Sequence, residues 1–415
     1  VTVTPDAANY FTVSGAAAQV AGTANALTIR AYDLYGNLCD RGVNNYTGDK
    51  AITFGGASTI GVFVPTVTDK LGVATDLGIA TTITFTNGVS TAGGSMVLYK
   101  VETANITATQ GAINTPAPLA VTVTPAGIGY FTVTGIPAVV TADDLLSPVI
   151  TAFDPFGNIE TGYTGTITFS SDNGDPALPA DYTFTSGPGQ DNGVHTFAGG
   201  AQLKRVSAGC YVAVADGLKT GQQAGIVVNP GLAAQLLWVT QPPVSVTVGA
   251  AWTDFSIEIT DAYGNRRTAD TDNVTVTPSF GALTGPTTVA AVGGLATFSG
   301  ISFSSAGTLT LTGSAAGLIP TPPSNLITVN ALPPSGLPDE NAILEAIRDE
   351  DLTGRKEYDN LINITMIVKQ YGMIFISVRL DENYGFDEHV IELIIREDGS
   401  YVLGEYADMR YKLQL

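Results

Sequence analysis

Four carboxylates crowd one eight-residue stretch, Asp381-Glu382-Asn383-Tyr384-Gly385-Phe386-Asp387-Glu388. Hard oxygen donors at that density suit calcium, which takes about six to eight of them. Asp381, Glu382, Asp387 and Glu388 are therefore the candidate ligands, and Ca2+ is the one cofactor the sequence suggests, although none is required. The spacing lacks the alternation of an EF-hand loop, and a solvated hairpin loop is the plainer reading. The chain has two histidines, His195 and His389, in different parts of the sequence and without neighbouring cysteines, which speaks against a zinc site. No nucleophile elbow, phosphate loop or dinucleotide fingerprint occurs. No catalytic or cofactor-binding residue is assigned, and the chain is read as not an enzyme.

Paired carboxylates for glycoside hydrolysis exist in any acidic chain. Sugar subsites need aromatic walls, however, and Trp238 and Trp252, the two tryptophans, read first as core. Cys39 and Cys210 lie at non-matching positions of different repeats, so each reads as a small buried hydrophobe. Lys50 and Lys204 are placed where a lysine–asparagine crosslink could form, by position alone.

Charge narrows the partners. Eighteen basic against 38 acidic residues give a net charge of −20, with no basic stripe to neutralise phosphates. Nucleic acid is not an expected partner, and neither is an anionic membrane surface. No run approaches the roughly 18 apolar residues of a membrane span, so direct membrane insertion is not expected. The segment Val1-Thr2-Val3-Thr4-Pro5 has none of the regions of a signal peptide, and the numbered chain is expected to be mature or a fragment.

The elements around these residues repeat. Val1-Thr2-Val3-Thr4-Pro5 returns as Val121-Thr122-Val123-Thr124-Pro125, and Tyr10-Phe11-Thr12-Val13 as Tyr130-Phe131-Thr132-Val133, both at an offset of 120. A second signature occurs three times: Asp33-Leu34-Tyr35-Gly36-Asn37, Asp154-Pro155-Phe156-Gly157-Asn158 and Asp261-Ala262-Tyr263-Gly264-Asn265. It follows Phe11 by 22 residues, Phe131 by 23 and Trp238 by 23, which pairs an aromatic opening strand with a turn in each repeat. In such a turn Asp accepts a backbone N–H two residues on, Gly takes positive φ, and the aromatic is expected on the sandwich core. A calcium role for Asp33, Asp154 and Asp261 is the sharper alternative, but one carboxylate per turn is far too few.

Between these marks lie short Val-, Ile-, Thr- and Phe-rich runs, such as Leu27 to Tyr32 and Thr166 to Phe169, separated by Asn87-Gly88, Asp191-Asn192-Gly193 and Gly293-Gly294. The fold class is mostly β: three tandem immunoglobulin-like β-sandwich domains followed by a small α+β domain. The divisions are 1–120, 121–231 and 232–331 for the repeats, 332–338 for a Pro-rich linker, and 339–415 for the acidic α+β C-terminal domain. From residue 338 onward there are 17 acidic and 8 basic side chains, leaving 21 and 10 for the first 337 residues, so the charged fraction rises sharply at the linker. Asp339, Glu340, Ile343, Leu344 and Ile347 predict a helix, and four strands are expected at Leu361 to Val368, Met373 to Leu380, Val390 to Arg396 and Tyr401 to Tyr406.

The Asp-x-[Tyr/Phe]-Gly-Asn turn, followed by Thr164-Gly165-Thr166-Ile167-Thr168-Phe169-Ser170 and Asp181-Tyr182-Thr183-Phe184-Thr185, resembles bacterial immunoglobulin-like repeats, the invasin-like and filamin-like modules of large surface proteins. The resemblance covers residues 1 to 331. It implies extracellular stalks, adhesins and surface-layer lattices, and it brings no catalytic residues. The expected function is a non-catalytic structural subunit of a surface-layer lattice or filament, self-associating through sheet edges and the terminal domain. The alternative is an adhesin or glycan-binding stalk. Expected partners are copies of the chain itself and surface glycans, at an extracellular cell-surface location.

Overall fold

The computed structural model describes residues 3–217, 219–332 and five strands of the C-terminal region. The alternation seen in sequence becomes alternating burial. In Thr28–Tyr32, Ile29 and Ala31 are fully buried while Thr28, Arg30 and Tyr32 are not, as a period of two on a one-sided sheet requires. Three separate hydrophobic cores result, centred on Phe11, Ile52, Phe54 and Phe85, on Ile150, Ile167, Val212 and Ile226, and on Phe255, Ile257, Phe298 and Leu311. The fold is a series of immunoglobulin-like β-sandwiches.

The repeats share a plan. An opening strand pairs antiparallel with the next long one: Tyr10–Ser14 with Thr28–Tyr32, Tyr130–Thr134 with Val149–Phe153, and Gln235–Thr240 with Phe255–Thr260. Between these two strands the chain makes a short strand lying parallel to the last strand of the same sandwich. These parallel pairs are Ala18–Val20 with Leu119–Thr124, Val139–Thr141 with Lys219–Asn229, and Ser245–Thr247 with Ile327–Asn330. Opening and closing ends of each sandwich are thereby tied together.

Two features differ from the sequence expectation. Leu119–Thr124 packs Val121 and Val123 into the first core, so the repeated Val-Thr-Val-Thr-Pro is the closing strand of a sandwich and not the opening of the next. In the third repeat, Leu236 pairs with Ile259 as Phe11 pairs with Ala31 and Phe131 with Ala152. Leu236, not Trp238, therefore holds the opening core position. A register shift after Trp238 leaves that indole bonding the Pro322 carbonyl at 2.9 Å. Trp252 is buried, as expected of core.

In the C-terminal region Leu361–Gln370, Met373–Leu380, His389–Ile395 and Tyr401–Leu403 pair in succession, antiparallel, and Ala407–Asp408 adds to His389–Ile395. The expected strands are there. The expected helix after Pro338 and the carboxylate stretch Asp381, Glu382, Asp387 and Glu388 lie outside the described residues.

Candidate functional site

The three Asp-x-aromatic-Gly-Asn turns fold alike because their bonds are local. Asp33, Asp154 and Asp261 each accept from the N–H two residues on at 2.9 Å. The same oxygen accepts the N–H four residues on at 2.8, 2.8 and 2.9 Å. Gly36, Gly157 and Gly264 take φ of 84°, 95° and 81°, the left-handed region that glycine occupies without steric cost. The second carboxylate oxygen accepts the Asn amide at the turn's end, at 3.0, 2.8 and 2.7 Å. It also accepts the N–H of the residue following the linker proline, from Asp6 at 3.0 Å, Ala126 at 3.2 Å and Gly231 at 2.8 Å. Each carboxylate thus fastens the incoming linker to its own sandwich.

Burial sets the turn acids' chemistry. At Asp33, desolvation pushes the pKa up, but the Asn37 amide and the N–H groups of Asp6, Asn37 and Tyr35 outweigh it and hold it at about 2. Desolvation at Asp261 is likewise outweighed by bonds from Asn265, Gly231 and Tyr263, and its pKa is lowered. Both oxygens of these carboxylates accept from donors of the protein itself, and so they hold the turn.

Two of the three turns reach out of their own sandwich. Asn158 donates to the Tyr99 carbonyl at 2.7 Å and accepts the Val101 N–H at 2.8 Å. One repeat later, Asn265 donates to the Lys204 carbonyl at 2.7 Å and accepts the Val206 N–H at 3.0 Å. Each joint therefore reads a carbonyl and an N–H two residues apart on the preceding sandwich.

The aromatic of each of these two turns enters an equivalent socket on the preceding sandwich. Phe156 packs against the first core, edge-on to Phe63 at 5.0 Å and tilted on Tyr99 at 5.1 Å. It also lies over Gly22, where a Cβ would overlap the ring. Tyr263 packs against the second core, with the Lys204 ammonium 5.6 Å from its ring and its backbone carbonyl accepting from Arg205. The Asp143 carboxylate beside the Tyr263 hydroxyl raises that group's pKa, and desolvation adds to the effect. Gly22 and Asp143 are equivalent: their N–H groups bond the carbonyls of Leu98 and Leu203, and both have positive φ, 75° and 76°. The sequence reading placed the turn aromatic on its own core; in both joints it belongs to the neighbour's.

No family model matches the chain, and no curated protein matches it. Among solved structures it is similar to the Escherichia coli adhesin FdeC, at 17% identity over 80% of this chain and 99% of that one, with a TM-score of 0.33. The D0-D1 domains of intimin are 15% identical over 49% and 99% of the two chains, with a TM-score of 0.19. A β-glycosidase from Bacteroides vulgatus is 12% identical over 45% and 23%, with a TM-score of 0.22. Overlaps this loose add no argument to the sheet geometry.

The remaining reactive side chains have partners within the fold. His195 sits in the strand Val194–Thr196, with its Nδ1 2.6 Å from Asp191. Asp191 also accepts from the Tyr182 hydroxyl and from the Thr185 N–H and hydroxyl. Although desolvation raises its pKa, the bonds from His195, Thr185 and Tyr182 win and lower it. The group pins the Asp191-Asn192-Gly193 turn against an aromatic cluster in which Tyr182 and Phe197 lie 4.1 and 4.5 Å from the imidazole. Cys39 and Cys210 are free and buried, with thiol pKa values raised first by desolvation. Lys50 lies over the Tyr46 ring at 5.0 Å, as Lys204 does over Tyr263. Among the described residues no group of three or more His, Cys, Asp or Glu gathers to hold a metal.

Proposed function

We propose that the chain is a non-catalytic structural subunit of an extracellular cell-surface assembly, a surface-layer lattice or filament, in which the sandwiches are spacers held at set angles. The observation that carries this reading is the joint. The same turn locks both junctions between repeats with two hydrogen bonds and a seated aromatic, so the chain spends its most elaborate polar geometry on holding domains in place. A stiff spacer needs such joints, because contacts between domains of one chain otherwise permit relative motion by default. The partners in this reading are further copies of the chain, meeting through sheet edges and the C-terminal region. Negative-stain electron microscopy of concentrated protein, with and without calcium, tests it: ordered sheets or filaments are expected, and protein that stays monomeric in both conditions overturns it.

A second reading, an adhesin or glycan-binding stalk, draws on two stacked aromatic pairs of the opening strands. Tyr10 with Tyr32 and Tyr130 with Phe153 stack at 5.5 and 5.3 Å on the face opposite the core, and stacked rings suit sugar faces. Specific binding on a glycan array, with no ordered polymer, would favour it.

A further inference from the structure

The first repeat carries the joint turn with nothing among the described residues seated on it. Asn158 and Asn265 are 5% and 7% exposed, whereas Asn37 is exposed, and Tyr35 and Leu34 are 77% and 67% exposed. Its local bonds are nevertheless complete: Asp33 holds the N–H groups of Asp6, Tyr35 and Asn37 and the Asn37 amide. The turn is built as in the filled joints, and the two Asn37 groups matching those that clasp a neighbour face solvent.

The residues ahead of it match the filled joints as well. Leu119–Thr124 is the closing strand of the first sandwich, with Val121 and Val123 0% and 2% exposed. Val1-Thr2-Val3-Thr4-Pro5 has the identical sequence, yet Val3 is 80% exposed. An alternating Val-Thr strand is matched to a position with one face buried, and among the described residues no core covers Val3.

We propose that the turn Asp33–Asn37 is the docking face for the distal end of one more sandwich of this repeat type, with Val3 and Thr4 in that sandwich's closing strand. The partner is defined by its chemistry. It presents a backbone carbonyl and an N–H two residues apart to Asn37, as Tyr99 and Val101 do to Asn158, and a small residue at positive φ under the Tyr35 ring, as Gly22 does under Phe156. A second copy of the chain fits less well, because the distal end of its third sandwich already has its closing strand, Ile327–Asn330. Val3 and Thr4 would then have no sandwich to complete. The inference stands whether the assembly is a lattice, a filament or a stalk.

The test keeps the full chain and places a second copy of residues 6–120 ahead of Val1, so that residues 1–5 follow it as Val121–Pro125 follow the first repeat. Amide hydrogen exchange is read at the added copy of Val101, with the native Val101 as internal reference. Protection within about threefold of the reference is expected, and both Asn37→Ala and Tyr35→Ser should speed exchange at the added site about tenfold or more while leaving the native joint unchanged. Tyr35→Ser guards against misfolding, since the exposed ring contributes little to its own sandwich. Free exchange at the added site, or protection indifferent to both substitutions, overturns the proposal. So does a dimer of the unextended chain that either substitution dissolves, since that would make the occupant a second copy.

Discussion

The turns Asp154–Asn158 and Asp33–Asn37 have the same backbone and the same internal hydrogen bonds, but among the described residues only the first has a neighbouring sandwich on it. The comparison separates two jobs that one sequence motif performs. Shaping the turn and gripping the linker are local and occur in both. Holding the next domain falls to the Asn amide and the aromatic ring, and at Asp33–Asn37 these two groups are the exposed ones.

Substitutions at paired positions sharpen that division. Phe156→Ala should destabilise the first joint by about 2–4 kcal/mol, because it empties a socket lined by Phe63, Tyr99 and Gly22. Tyr35→Ala should change stability by no more than about 0.5 kcal/mol. Urea unfolding resolved by hydrogen exchange, peptide by peptide, measures both. Asn158→Ala should cost about 2–3 kcal/mol by stranding the Tyr99 carbonyl and Val101 N–H, and Asn37→Ala about 1 kcal/mol for the single bond to Asp33. Equal costs at the two asparagines would erase the distinction.

The sockets allow a third contrast. Gly249 is the third-repeat equivalent of Gly22: its N–H bonds the Phe303 carbonyl and its φ is 73°. A Cβ there meets nothing within 4 Å among the described residues. Alanine pays a backbone penalty of about 1–2 kcal/mol at either site. Gly22→Ala should also push Phe156 out and speed exchange at Val101, whereas Gly249→Ala should show the backbone penalty alone.

The smallest expected difference is in acid. Asp33 and Asp261 both ionise more readily in the folded chain than in the unfolded one. Their stabilisation is therefore complete above the unfolded value and lost as pH falls through the folded one. For Asp33 that window runs from 3.8 to about 2. Asp33→Asn should flatten the pH dependence of first-repeat unfolding in that window, measured by circular dichroism across an acid titration.

The sequence disclosed whatever is settled within a few residues. The Asp-to-backbone bonds, the positive φ of the turn glycine and the alternation of the strands all follow from residue type and near neighbours, and the structure has them. The joint was out of reach for a physical reason. Asn158 meets Tyr99 across 59 residues and Asn265 meets Lys204 across 61, and its targets are main-chain groups, which carry no signature in residue type. Phe63, which walls the first socket, comes from the stretch between the strands Gly48–Gly55 and Thr66–Thr68. The Trp238 correspondence failed because matching aromatic to aromatic ignores register, and in the third repeat an aliphatic residue, Leu236, fills the core position.

The parallel pairing of the short strand with the closing strand has a mechanical consequence. Tension applied along the chain would pull Ala18–Val20 and Leu119–Thr124 lengthwise past each other, and the same holds for Val139–Thr141 with Lys219–Asn229 and Ser245–Thr247 with Ile327–Asn330. Bonds loaded in shear must break together, whereas a hairpin peeled from its end gives way one bond at a time. Survival under load is a matter of unfolding rate and not of equilibrium stability, and each sandwich places this shear lock between the two points where its neighbours would pull.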